Sequence, residues 1–399
     1  MKWLKSVNEA LFGWGSPVTL GVVRMVTGTL ALINFLMVAI DFDAWFTERG
    51  FIPAWHAEKW AGAIPRLNLL SNVTDSRVTA FVYGLCCLAC LFTAIGLWTR
   101  VSSIAMFVLI TTLHHRAPDI LHSGDTLMRQ MAFLVMLAPS GRACSVDRLI
   151  ALWKGKAPAI PLDVSLWPQR LMQFQVTVVY FTSVWHKWGG SHWRDGTATW
   201  FVPQLHEFDR FPVPAFFDQQ PFVAFTTYST LLVELSVAVL AYSKPLRKWV
   251  LLSGVLLHAG IEYRFNIPMF SFMMTSTYLA FYEGSEVSAW AKRLGSRLKF
   301  AKVRAFTPKG KQLTPAGAAT LEAFDALGLV EFESGQGEDW AAERNGNRAK
   351  NPYRTILFSS LGAWSLCLLP GAWKRLMNKA LVKPEGQKSA EMVAEAVNS

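Results

Sequence analysis

The chain has 399 residues, of which 52% are hydrophobic and 17% are charged, and it contains 17 Trp and 27 Phe. Soluble domains carry about 25% charged residues, so a wholly water-exposed surface is excluded and membrane lipid is the expected surrounding. The net charge is +11, and 17 of the 39 Lys and Arg follow Gly284. Membrane proteins collect Lys and Arg on their cytoplasmic side. We therefore interpret the basic residues after Gly284 as a sign that this segment is cytoplasmic, and we predict no nucleic acid partner.

Residues 1–16 predict an amphipathic helix lying at the membrane interface, since their apolar side chains recur at helical spacing. A membrane domain of about eight transmembrane helices in a bundle follows over residues 17–283. Its apolar runs cover residues 17–40, 78–98, 101–115, 125–139, 168–188, 221–242, 248–264 and 268–283. The third and fourth runs are short and have polar ends, which must face the bundle interior or the headgroups.

Lys and Arg occur on alternate connections between these runs, which predicts a multi-pass protein of the cell membrane with both termini in the cytoplasm. The eight histidines then all fall in the outer half of the bundle or in outer loops. They are His56, His114, His115, His122, His186, His192, His206 and His258. A one-sided group of side chains that titrate near neutral pH indicates a site open to the outer face. Scattered interfacial histidines are the alternative.

Residues 284–300 predict a basic amphipathic helix on the cytoplasmic surface. Residues 301–399 predict a small cytoplasmic α/β tail with strands at 302–306 and 329–333, an intervening helix, a later helix at 353–381 and a disordered end. The predicted fold class is therefore an all-α polytopic membrane protein with a small α/β tail.

The fifth apolar run carries a polar stripe at spacings of three or four residues: Gln173, Thr177, Tyr180, Ser183 and Lys187. Lipid cannot satisfy such a stripe, so it must face protein or water. Two interpretations of Lys187 stay open. Its side chain snorkels to the interface, or its burial leaves a neutral amine that serves as a base.

Other polar residues in the runs suggest further contacts. His258 and Glu262 lie four residues apart, so the carboxylate could orient the imidazole. Asp125 and Arg129 have the same spacing and are predicted to pair. No established metal-ligand spacing occurs, and we predict no metal site.

Two charges lie within the apolar runs, Arg24 in the first and Glu234 in the sixth. Intramembrane charges are functional candidates by default, and a structural ion pair is the alternative. Cys87-x-x-Cys90 has redox spacing, but a lipid-buried helix disfavours thiolate chemistry, so we interpret these cysteines as packing residues.

Several segments in order resemble the HTTM family, the membrane domain shared with vitamin K-dependent gamma-carboxylase. They include VTLGVVRMVTGTLALINF, WFTERGFIP, HHRAPDILHSGDTLMR, VVYFTSVWHKWGGSHWRDGTATW, LLVELSVAVL and HAGIEYRFNIPMFSFMM, within residues 17–283. The tail resembles more faintly the thioredoxin-like DCC family, whose Cys-x-x-Cys should stand near Thr307–Thr314, where this chain has no cysteine.

The HTTM resemblance implies an enzyme that acts on a reduced quinone of the vitamin K or menaquinone type at the outer leaflet. In the carboxylase a lysine deprotonates the quinol, which reacts with oxygen, and the strong base that results leads to glutamate carboxylation. The resemblance places this lysine at Lys187. By motif position His122 and His258 resemble histidines that the carboxylase uses, and we expect His186 and Glu262 to assist as well. We expect quinone-binding residues at Tyr180, Trp188, Thr177, His114 and His115.

The large extracytoplasmic domain by which the carboxylase holds its protein substrate has no counterpart in this sequence. Quinol oxygenation is therefore better supported than carboxylation of a protein or peptide substrate. A non-catalytic membrane scaffold or maturation partner is the second hypothesis.

Overall fold

The computed structural model describes residues 2–62, 66–154, 156–158, 160–298, 302–314, 317–318, 321, 325, 327–344, 346–352, 355–356, 377–378 and 381–382. The chain divides into two compact units. The first comprises Met1–Gly15, Thr19–Ser140 and Val164–Tyr282. The second comprises Ser16–Val18, Gly141–Asp163 and Glu283–Ser399.

The first unit is built from helices, and each apolar run lies largely within one of them, as predicted. The helices are α1 (Lys2–Phe12), α2 (Val18–Val38), α3 (Phe42–Phe46), α4 (Ala54–Ala61), α5 (Ser76–Ile95), α6 (Thr99–Arg116), α7 (Ser123–Leu137), α9 (Trp167–Gly189), α10 (Ser191–Arg194), α11 (Ala198–Phe201), α12 (Gln220–Leu240), α13 (Lys244–Arg264) and α14 (Phe270–Thr277). A 3₁₀ turn at Tyr278–Phe281 continues α14. Short strands β1 (Trp14–Gly15) and β2 (Val164–Ser165) pair antiparallel.

Local signals fix the ends of α5. The Asp75 carboxylate accepts a hydrogen bond from the Arg77 N–H at 2.8 Å, which satisfies a free amide at the helix start. Gly96 ends the helix with a φ of 70°, a left-handed conformation that glycine adopts without steric cost.

The two short apolar runs form α6 and α7, and α6 shows how polar residues are accommodated there. The Thr111 hydroxyl donates to the Phe107 carbonyl at 2.7 Å, and the Ser103 hydroxyl donates to the Arg100 carbonyl at 3.2 Å. Because these hydroxyls bond to their own helix, they do not require water.

Arg24 joins α2 to the end of α5. Its side chain is fully buried, and Nη1 donates to the carbonyls of Thr93 at 2.5 Å and Ala94 at 3.1 Å. These carbonyls lie at the negative end of the α5 dipole, where a cation is stabilised. Gly28 allows the close approach, since an ideal Cβ at this position would lie 2.6 Å from the Ala94 nitrogen. Of the interpretations left open for Arg24, its contacts favour a structural one.

Within the described residues, three helical segments are long and apolar enough to cross a membrane. They are Val18–Phe46, Ser76–Ile95 and Gln220–Leu240. The other five apolar runs fall outside this set: the helices α7 and α14 have 15 and 8 residues and are too short, whereas α6, α9 and α13 are long enough but carry more polar side chains.

The second unit contains helices α8 (Val146–Trp153) and α15 (Gly284–Arg297) and a small sheet. The strands are β3 (Val303–Thr307), β4 (Gln312–Leu313), β5 (Val330–Ser334), β6 (Ala341–Arg344), β7 (Asn347–Arg348) and β8 (Leu381–Val382). In the main sheet the order is β5-β3-β6-β7, with β3 parallel to β5 and antiparallel to β6. The predicted helix at 353–381 and the predicted disordered end lie mostly outside the described residues.

Candidate functional site

Lys187 and Glu234 form an ion pair between α9 and α12. Lys187 Nζ contacts Glu234 Oε1, and Nζ also lies 5.1 Å from the centroid of the Trp193 ring. Glu234 is 7% exposed, and its second oxygen, Oε2, has no hydrogen-bond partner among the described residues. A buried carboxylate requires a cationic partner, and Lys187 provides it. The Lys187 ammonium therefore points to a buried charge, while 24% of its side chain remains exposed.

A chain of three buried side chains lies beside this pair. The Tyr180 hydroxyl is 2.8 Å from His258 Nε2 and also contacts the Tyr278 hydroxyl. These groups come from α9, α13 and the turn after α14, and each is less than 5% exposed. Hydroxyl groups can both donate and accept, so Tyr180 can donate to one of its two neighbours while it accepts from the other. His258 Nδ1 has no partner in the described part of the protein.

The pair and the chain are close enough to act on each other. Lys187 and Tyr180 are seven residues apart on α9, which places them on one face. Glu234 interacts electrostatically with Tyr180 and Tyr278, and Lys187 with His258. We call these five residues the polar cluster.

Gly254 makes room for the polar cluster on α13. An ideal Cβ at this position would overlap the Tyr278 hydroxyl. The aromatic ring can reach Tyr180 only because the helix carries no side chain here. Phe270 closes the other side, with its ring centroid 5.5 Å from that of His258.

Glu262 does not contact the His258 ring, contrary to the predicted interaction. Its carboxylate pairs with the guanidinium of Arg210, which also donates to the Glu262 carbonyl at 3.2 Å. An arginine forms a stronger, charge-assisted bond with a carboxylate than a neutral imidazole does. Glu262 therefore forms an ion pair with Arg210 of the outer loop, while His258 forms a hydrogen bond with Tyr180.

Three predicted residues of α9 lie apart from the polar cluster. His186 and Trp188 are exposed on the flanks of Lys187. The Thr177 hydroxyl lies 2.9 Å from the Tyr242 hydroxyl and donates to the Ala238 carbonyl at 3.2 Å. Tyr180 itself is buried, so the structure does not bring the side chains of Tyr180 and Trp188 to one surface.

His114 and His122 belong to a second group around Asp125. His122 is the N-cap of α7: its Nδ1 accepts the Gly124 N–H at 2.9 Å, and its own N–H donates to Asp125. His114 is buried, with Nε2 4.0 Å from Asp125 Oδ1. The Asn34 amide also donates to Asp125 at 3.3 Å. This group holds the start of α7.

The predicted pair between Asp125 and Arg129 does not form. Arg129 Nη1 instead lies 3.2 Å from His115 Nε2, and His115 Nδ1 lies 2.9 Å from the Leu67 carbonyl. The histidines thus divide among separate places: His258 in the polar cluster, His114 and His122 at α7, and His115 beside Arg129.

Among the residues that the structure describes, no group of three or more His, Cys, Asp or Glu could hold a metal ion. The described cysteines, Cys86, Cys87, Cys90 and Cys144, are free thiols. The candidate site is thus the polar cluster itself.

Sequence reasoning misses one member of this cluster and one of its contacts. The sequence marks Glu234 as a functional candidate, but nothing in it joins Glu234 to Lys187 across 47 positions. Tyr278 carries no signal, because a tyrosine near a helix end is common at a membrane interface.

Helices of this length and apolarity, enclosing a buried ion pair, define a helical membrane protein. The HTTM domain family model matches residues 15–285. The chain belongs to the HTTM family, as its sequence motifs predicted. Searches of curated proteins and of solved structures found no match. The family match ends before the tail, so the likeness to the DCC family stays a prediction.

Proposed function

We propose that this chain is a multi-pass enzyme of the cell membrane that oxidises a reduced quinone at its outer side. Eight spans correspond to α2, α5, α6, α7, α9, α12, α13 and α14 with its 3₁₀ extension. The alternating Lys and Arg of the connections support cytoplasmic termini.

The observation that carries the proposal is the Lys187–Glu234 pair, whose carboxylate is buried and has one oxygen without a hydrogen-bond partner among the described residues. A quinol must lose a phenolic proton before it reacts readily with oxygen. Lys187 can accept this proton once its ammonium has passed its own proton to Glu234. The net result is a neutral carboxyl group on Glu234 and an ammonium facing the quinolate. Charge is thereby conserved inside an environment where an isolated charge is costly.

The overall reaction balances with dioxygen as the oxidant. Quinol and O₂ give quinone epoxide and water: one oxygen atom enters the ring, and the other leaves with the two quinol hydrogens. The His258–Tyr180–Tyr278 chain supports proton movement next to the pair, since each member can donate or accept. Trp193, whose ring lies over Lys187, provides an aromatic surface beside the reacting oxygen.

Carboxylation of a protein or peptide would be a further reaction of the same site. It requires a strong base from quinol oxygenation, carbon dioxide and a bound glutamate side chain. The described residues offer no separate domain to hold such a chain at the outer side, so we place quinol oxygenation first.

A scaffold or maturation partner is the second candidate function. It is favoured by the internal satisfaction of the polar cluster, whose contacts join α9, α12, α13 and the turn after α14. Such contacts hold helices in register in lipid whether or not chemistry occurs.

The tail, residues 301–399, we interpret as a degenerate thioredoxin-like domain on the cytoplasmic side. Its support is the sheet order β5-β3-β6-β7, with a parallel pair at one edge and an antiparallel hairpin at the other. Without cysteines near Thr307–Thr314 it would dock a partner and would not exchange disulfides.

The test is oxygen consumption by the purified full-length protein in lipid nanodiscs supplied with reduced menaquinone. We expect wild-type protein to consume oxygen and Lys187→Ala and Glu234→Gln to lose this activity. Lys248→Ala is the matched control, since Lys248 is exposed and its Nζ lies 5.0 Å from the Trp249 ring. Background consumption by all well-folded samples would remove the quinol proposal and favour the scaffold.

A further inference from the structure

A groove of about 500 Å³ opens between α6, α7 and α9, away from the polar cluster's side chains. Its polar lining includes His115, Arg129, Gln130 and Gln175. Its apolar lining includes Phe107 and Phe133. The proposed function uses none of these residues in catalysis, so the groove needs its own explanation.

The positive charge of Arg129 is not neutralised by its nearest partner. His115 Nδ1 lies 2.9 Å from the Leu67 carbonyl, which can only accept, so Nδ1 carries the proton. His115 Nε2 is then the acceptor for Arg129 at 3.2 Å, and the imidazole is neutral. Within the described residues, no carboxylate lies within ion-pair distance of Arg129. Asp125, one turn earlier, binds Asn34 and the His122 N–H.

A second cation lies near. The Arg66 guanidinium interacts unfavourably with that of Arg129, which Asp125 attracts, and it stacks 4.3 Å from the Trp60 ring centroid. Like charges raise each other's energy, and a bound anion would relieve that repulsion. Planar guanidinium groups also match the geometry of phosphate and carboxylate. This end of the groove is therefore complementary to an anion.

The other part of the groove is complementary to a hydrocarbon chain. The Phe107 and Phe133 rings contact each other with centroids 5.3 Å apart, and Phe133 is 40% exposed. Between the two ends, the Gln175 amide donates to Gln130 at 2.9 Å. This bond pairs the two glutamine side chains with each other, so Arg129 is the charged group of the groove that can contact a ligand.

We propose that the α6–α7–α9 groove binds a membrane lipid with an anionic headgroup. The phosphate of the headgroup contacts Arg129, Arg66 adds positive potential at that end, and an acyl chain lies along Phe107 and Phe133. A neutral quinol offers no charge to these arginines, so this site is separate from the polar cluster. The inference does not depend on quinol chemistry.

Native mass spectrometry of the delipidated full-length protein tests this site with three probes: phosphatidylglycerol, phosphatidylcholine and inorganic phosphate. We expect phosphatidylglycerol to bind most tightly. Arg129→Gln keeps a hydrogen-bond donor for His115 but removes the charge, and loss of a charge-assisted bond should weaken phosphatidylglycerol binding about tenfold. Arg77→Gln is the matched control, because Arg77 is an exposed arginine on α5, and it should bind as wild type does.

If Arg129→Gln aggregates, its lipid binding cannot be interpreted, and a second variant then tests the site. Phe133→Ala changes an exposed side chain, and it should weaken phosphatidylglycerol binding without changing phosphate binding. Equal affinity of wild type and both variants would overturn the proposal. So would equal affinity for phosphatidylglycerol and phosphatidylcholine. Inorganic phosphate that binds as tightly as the lipid would indicate a free-anion site and would overturn the lipid assignment.

Discussion

Lys187 of α9 and Glu234 of α12 contact each other in the bundle, although 47 positions separate them in the chain. Neither charge has another oppositely charged partner among the described residues. Each is therefore stabilised by the other, and the substitution of one leaves the other unpaired. The consequences of that dependence can be measured for stability and for activity.

The first prediction is a double-mutant cycle at this pair. Removing one partner of a buried pair costs about 3 kcal/mol, because the remaining charge is uncompensated. We expect Lys187→Met and Glu234→Met each to lower the free energy of unfolding by about this amount. The double variant should lose much less than the sum of the two. Denaturant unfolding in detergent micelles measures all four proteins, and strictly additive losses would show that the pair is not coupled.

The second prediction concerns Tyr180. Tyr180→Phe removes the hydroxyl that lies between His258 Nε2 and the Tyr278 hydroxyl. An unpaired buried polar group costs about 1–3 kcal/mol, and here two groups lose the same partner. The control is Tyr263→Phe, whose hydroxyl bonds to the Pro212 carbonyl at an exposed site. Unfolding measurements should show a clearly larger loss for Tyr180→Phe. Similar losses for the two variants would contradict a buried chain.

The third prediction compares two glycines on α13. Gly254→Ala places a Cβ against the Tyr278 hydroxyl, and overpacking of this kind costs about 1–3 kcal/mol. Gly260 has open space around its ideal Cβ position. Gly260→Ala should therefore be neutral or stabilising by about 0.5–1 kcal/mol, as alanine favours a helix interior. Thermal unfolding of both variants gives the comparison, and a tolerated Gly254→Ala would mean that Tyr278 can move.

The fourth prediction tests topology. Arg49 and Lys154 are both exposed, and they lie on loops that the proposed orientation places on opposite sides of the membrane. In a cysteine-free background, a membrane-impermeant maleimide should label Arg49→Cys on intact cells. It should label Lys154→Cys only after the membrane is permeabilised. The reverse pattern would place the termini outside.

The helices themselves could be predicted from the sequence, because a long apolar run in lipid must satisfy its backbone hydrogen bonds within the segment and therefore forms a helix. Even the short, polar-interrupted runs became α6 and α7, since residues such as Thr111 bond to their own helix. The strands of the tail at 303–307 and 330–334 lie within one residue of the predicted strands at 302–306 and 329–333. Forming a helix is not the same as crossing a membrane, and three of the described helical segments have the length and hydropathy that crossing requires.

The partners of polar side chains could be predicted only in part. Spacing of four residues placed His258 near Glu262 and Asp125 near Arg129, but each residue found a partner on another element. Glu262 forms an ion pair with Arg210, and Arg129 forms a hydrogen bond with His115. Helical spacing shows which side chains share a face, whereas the partner depends on what the neighbouring helix presents. For the same reason Lys187 could be recognised as unusual, but Glu234 could not be assigned to it.

The most direct test of the central claim is the fate of labelled oxygen. Reduced menaquinone is incubated with wild-type protein in nanodiscs under ¹⁸O₂, and the quinone products are analysed by mass spectrometry. The account predicts one ¹⁸O atom in a quinone epoxide for wild type and for Lys248→Ala, and none for Lys187→Ala. Quinone that forms at the same rate in every sample without incorporated ¹⁸O would contradict it.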